Sequence, residues 1–110
     1  MQRYIELSKI ANSVIYENSS SVIKCNDAID EMYSIVKSLD KKDVKHFCSL
    51  LNNQDSRKWI AHHLVELHRL PLEIEDKCFK VVEDLAKSDD LYAYGETLWL
   101  EEWGTKLERI

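Results

Sequence analysis

Glycine and proline are scarce, with two Gly and one Pro in 110 residues where average usage would supply about thirteen. A chain so poor in turn formers lacks the tight turns of an all-β fold, and it cannot build the glycine-rich loop of a P-loop or Rossmann phosphate site. Long apolar runs are missing as well. None approaches the ~20 residues of a membrane-spanning helix, and the opening MQRYIELSK has neither an apolar h-region nor a small-residue cleavage site, so a cytosolic location is expected. Cys25, Cys48 and Cys78 are odd in number, far apart and without Cys-x-x-Cys or Cys/His ligand spacing. They read as small core hydrophobes rather than a disulfide framework or zinc site.

What is present is helical pattern. The chain is 45% hydrophobic and 32% charged, the composition of one soluble globular domain spanning residues 1–110, long enough to bury about 60–70% of its unfolded surface without a metal or disulfide staple. Apolar residues recur near a period of 3.6 almost throughout. The first helix is expected over Gln2 to Glu17, with Tyr4, Leu7, Ile10, Ala11 and Val14 on one side. Asn18 to Ser21 break the pattern, and serines there suit the cap of a second helix ending near Ser38. Its stripe is Val22, Cys25, Ala28, Ile29, Met32, Val36 and Leu39. Asp40 is the expected N-cap of a third helix with Val44, Phe47, Cys48 and Leu51 inside, closed by Asn52-Asn53-Gln54. Asp55 or Ser56 starts a fourth, whose inner arc is Trp59, Ile60, His63, Leu64 and Leu67, with Lys58, His62, Glu66 and Arg69 opposite.

Pro71 ends that helix, because the residue before a proline is pushed out of helical geometry. A fifth follows, burying Ile74, Cys78, Val81, Val82 and Leu85. Ser88-Asp89-Asp90 cap a sixth, with Tyr92, Trp99, Leu100, Trp103 and Leu107 on one side, and Gly95 and Gly104 each weaken it by about 1 kcal/mol relative to Ala. Short linkers make consecutive helices antiparallel. The expected architecture is all-α: six helices as three antiparallel hairpins, in a HEAT-like stack or a compact helical bundle.

The run Arg57-Lys58-Trp59-Ile60-Ala61-His62-His63-Leu64-Val65-Glu66, followed by Pro71 and the helix Glu73 to Lys87, resembles the helical hairpins of HEAT-like proteins. Small bacterial proteins of that kind include cytosolic immunity proteins that block toxins delivered between competing cells, as in contact-dependent inhibition systems. The resemblance spans Ser56 to Trp103. It implies a hairpin stack and a binding role, and it carries over no catalytic residue.

The histidines are the first candidates for chemistry. His62 and Glu66 lie one turn apart and His46 follows Asp43 at i, i+3, but a di-iron bundle needs two Glu-x-x-His helices and the chain has none, nor any His-Glu-x-x-His. His62 with Glu66 is expected as a surface hydrogen-bonded pair, and His63 as a core histidine bonded to a neighbouring acceptor. No Gly-x-Ser-x-Gly elbow exists, and the cysteines sit on apolar helix faces, so neither an enzyme nor any metal or cofactor is expected.

Charge is the more informative feature. Fifteen Lys+Arg against twenty Asp+Glu give a net charge of −5, which disfavours nucleic acid or an anionic membrane as partner. Residues 1–65 carry +1 and residues 66–110 carry −6. Glu73 with Lys77, Asp76 with Lys80 and Glu83 with Lys87 are spaced for local i, i+4 pairs. Glu75, Asp84, Asp89, Asp90, Glu96 and Glu101 lack such compensation and gather at the junction of the fifth and sixth helices, interleaved with Tyr92, Tyr94 and Trp99. Tyr94 falls opposite Trp99 and Trp103, in line with Glu101 and Glu108, and is expected to be exposed. Acids with an exposed aromatic suit a basic protein partner. The expected partner-binding set is therefore Glu75, Asp84, Asp89, Asp90, Tyr94, Glu96 and Glu101. The expected role is that of an immunity protein, a monomer occluding a basic toxin in a 1:1 complex. A nuclease domain fits best, since it must present a positive cleft to phosphate. A HEAT-like scaffold or regulatory adaptor is the alternative.

Overall fold

Local hydrogen bonds decide where each helix begins and stops. The computed structural model describes residues 1–89 and 93–106, and the described residues form six α-helices, one 3₁₀ helix and no strand. α1 spans Gln2–Asn12, five residues short of the expected Glu17. Asn12, the last residue of α1, bridges to another element, its side-chain amide donating to the Asp55 carbonyl (2.8 Å) and its Oδ1 accepting from Trp59 Nε1 (2.8 Å). The following Ser13, Val14 and Ile15 are weak helix formers, and the Ser21 hydroxyl takes over the Ile15 N–H at 2.9 Å.

α2 spans Ser19–Lys37, and its cap is Asn18 rather than one of the serines. The Asn18 carboxamide accepts from the Ser21 N–H at 3.1 Å, satisfying an otherwise orphan donor. The expected stripe faces inward, with Cys25, Ala28, Met32 and Val36 buried. Asp40 caps α3 (Lys41–Phe47) as expected, accepting from the Asp43 N–H at 2.9 Å. The chain then tightens into a 3₁₀ helix over Cys48–Asn52. With three residues per turn, Leu50 is buried as well as the expected Leu51.

α4 (Arg57–Leu67) buries Ile60, Ala61, His63, Leu64 and Val65, an arc wider than the sequence pattern indicates because α2, α5 and the 3₁₀ helix all pack against it. Its entry is held by Asn53, whose Oδ1 accepts from the N–H groups of Asp55 and Ser56 at 3.0 and 3.1 Å. The Ser56 hydroxyl donates instead to Ser8 at 2.9 Å, and Ser8 donates to the Tyr4 carbonyl at 2.8 Å. α5 spans Leu72–Ala86 and buries Cys78, Phe79 and Val82. α6 spans Ala93–Lys106. The expected cap residue Asp90 and the expected inner residues Tyr92 and Leu107 lie outside the described residues.

Pairing follows chain order: α1 on α2, α4 on α5 and α5 on α6, with α2 joining the two halves through α4. The buried apolar side chains form one cluster running from Tyr4 to Val82. The radius of gyration, 13.8 Å, is close to the about 13 Å of a close-packed chain of this length. No described helix is long and apolar enough to cross a membrane.

Candidate functional site

Of the seven residues expected at an acidic binding junction, six lie among the described residues, and not all of these six are at the surface. Glu96 is the clearest correction. It lies on the inner side of α6, 6% exposed, with its carboxylate 2.5 Å from His62 Nε2 on α4. The local pairing of His62 with Glu66 is replaced as well, since Glu66 accepts from Trp99 Nε1 at 3.1 Å. The physical reason is that α6, packed on α5, brings Glu96 and Trp99 over the polar side of α4, which the α4 sequence alone presents as a solvent face. A buried carboxylate needs a partner, and the histidine on that face supplies it.

The His62 ring stacks on Trp99 at 4.5 Å and 13°. Trp99 also meets Phe79 at 5.4 Å and Trp103 at 6.2 Å. Two hydrogen bonds and the His62 stack thus fix α6 against α4, and the Phe79 contact fixes it against α5. This arrangement orients a helix.

Asp84 is also accounted for internally, because Lys80 donates to it at 3.0 Å. Lys77 sits 4.0 Å from Glu73 as the spacing indicates. Glu75 is half-buried in the first turn of α5, near enough to Cys78 for its charge to help raise that thiol, which burial pushes up to about 12. Asp90 lies outside the described residues. Asp89, Tyr94 and Glu101 are exposed as expected.

What survives is the outer face of α6. Tyr94 is 73% exposed and Leu98 46% exposed, one turn apart, with Glu101 in the next turn. Leu98 is absent from the expected set although its signal is present: it falls at i+4 from Tyr94 and i−3 from Glu101, on the line those two define. Glu102, beside them, is engaged by Lys106 at 3.2 Å. Two adjacent exposed apolar side chains bordered by acids, on a helix held firmly from behind, are suited to contact with another macromolecule.

The core histidine is where the sequence places it. His63 is 5% exposed, and a 2.8 Å hydrogen bond joins its Nδ1 to the Tyr4 hydroxyl. The rings of Tyr4, Tyr33 and Trp59 surround it at 5.4–6.3 Å. Burial, with a smaller contribution from His62, lowers its pKa to about 4, so the ring is neutral at pH 7. Among the described residues no group of three His, Cys, Asp or Glu side chains is placed to hold a metal ion. Comparison of the chain with protein-family models, curated proteins and solved structures gives no match.

Proposed function

We propose that this chain is a protein-binding domain whose outer α6 face docks a basic protein, and that the partner is a toxin whose working surface the domain occludes. The observation that carries the reading is the pair Tyr94 and Leu98, exposed at 73% and 46% on the anchored α6, with Glu101 exposed in the next turn. Aromatic side chains at the centre of an interface supply contact area at small entropic cost. Surrounding acids raise the encounter rate with a positive surface. The −6 charge of residues 66–110 extends that attraction, and a nuclease, which must draw phosphate into a positive cleft, is the toxin class it suits best.

The test is co-expression of this chain with the product of the adjacent reading frame, scored by rescue of growth, followed by surface-binding kinetics of the two purified proteins at 50 and 300 mM salt. Rescue, with an association rate that falls with salt, supports the reading. A partner bound tightly without inhibition would move the chain to the scaffold class, and no binding would overturn the reading.

A further inference from the structure

We propose that the cleft between α3 and the α4–α5 connection is a binding site for a small organic anion with an apolar body. The cleft encloses about 380 Å³, within the size range of small-molecule sites. Its floor is apolar, made by Val44, Leu70, Pro71 and Ile74, and its rim is cationic, made by Lys41 and Lys45 on α3 and Arg69 from the connection. That combination is unexpected on a chain of net charge −5.

None of these three cations has an ion-pair partner among the described residues. Lys41 and Lys45 stand at i, i+4 on a helix of seven residues, a like-charge spacing that destabilises a helix. Arg69 arrives from a different segment, so the fold itself gathers positive charge here. An anion on the rim would relieve that repulsion, and Arg69 offers a planar fork that matches a carboxylate in bidentate fashion. His68 lines the same cleft and is fixed there, its Nε2 donating to the Val36 carbonyl at 2.6 Å. The apolar floor selects against a bare inorganic ion, and the rim selects against a neutral or cationic molecule. The site shares no residue with the α6 face and stands independently of it.

The experiment is a ¹⁵N NMR titration of the full chain with 2-naphthoate at 150 mM salt, run beside neutral 2-naphthamide and inorganic phosphate. The expected result is saturable shifts confined to residues 41–45 and 68–74, with naphthoate at least tenfold tighter than either comparison compound. The double variant Lys45→Glu, Arg69→Glu, confirmed as helical by circular dichroism, should weaken naphthoate at least tenfold. Saturation elsewhere on the chain, no saturation, equal affinity for the amide or for phosphate, or an unchanged affinity in the folded variant would overturn the proposal.

Discussion

Acid should weaken this fold through one residue before its carboxylates titrate. His63 is buried and neutral, with a pKa lowered to about 4, whereas in the unfolded chain it titrates near 6.5. Between those values the unfolded state binds the proton and the native state does not, so stability rises with pH across that window and is lost as pH falls. Above pH 6.5 the contribution is constant. At about 1.36 kcal/mol per pH unit, the loss should reach about 2.5 kcal/mol by pH 4.5, a sizeable part of the 5–15 kcal/mol that holds a typical domain. The cause is geometric: the ring is enclosed by Tyr4, Tyr33 and Trp59, and among the described residues no carboxylate acts on its charge. The assay is urea unfolding at pH 7.0, 6.0, 5.0 and 4.5, compared with the His63→Leu variant, whose stability starts lower but should be nearly flat over the same range. NMR titration of the His63 ring supplies the second reading. A wild-type stability that does not change between pH 7.0 and 4.5, or a ring that titrates near 6.5 in the native protein, would refute the reasoning.

Other perturbations follow from named contacts. Tyr4→Phe removes the hydroxyl bonded to His63 and leaves Nδ1 without its partner in the core, which should cost about 1–3 kcal/mol in urea unfolding with helicity unchanged; a cost under about 0.5 would show that the bond contributes little. Glu96→Ala should cost a similar amount, about 1–3 kcal/mol, and Glu96→Lys more, because it sets an unpaired cation beside His62 in a covered site; near-neutral stability in either would place Glu96 back in solvent. Tyr94→Ala, Leu98→Ala and Glu101→Lys should each change stability by less than about 0.5 kcal/mol, while the first two speed dissociation from the partner and the third slows association. Cys78, whose thiol burial holds at a pKa of about 12, should react with a disulfide reagent only when the protein unfolds; rapid labelling of the native chain would contradict its packing.

The helical class and most of the core could be read in the sequence because they depend on near-neighbour spacing. Cys25, Ala28, Met32 and Val36 recur at intervals of three and four and are all buried, and Asp40 caps α3 as its residue type and position demand. Features that depend on a partner far along the chain were not legible in the same way. Asn12 looks like any polar residue inside a helix until Asp55 and Trp59 are brought to it. Leu50 is hidden by the change from 3.6 to three residues per turn, and Phe79 by the arrival of Trp99 against α5. Glu96 and His62 are 34 residues apart. Each alone has the pattern of a solvent-facing charge, and their meeting is a consequence of tertiary packing.

The inward position of Glu96 bears directly on how the α6 face works. An acid at position 96 counted as part of a binding surface would add charge to it; the same acid turned inward contributes orientation. With the Glu96–His62 and Trp99–Glu66 bonds on its inner side, α6 presents Tyr94 and Leu98 from a helix that has little freedom left to lose, and a side chain displayed from a rigid support binds at lower entropic cost than one on a mobile loop. The two kinds of residue are therefore separable by experiment. Changing an inner residue such as Glu96 should disturb stability first and binding only through it, whereas changing Tyr94 should disturb binding alone. The exposed charge at Glu101 should register in the salt dependence of association rather than in the fold.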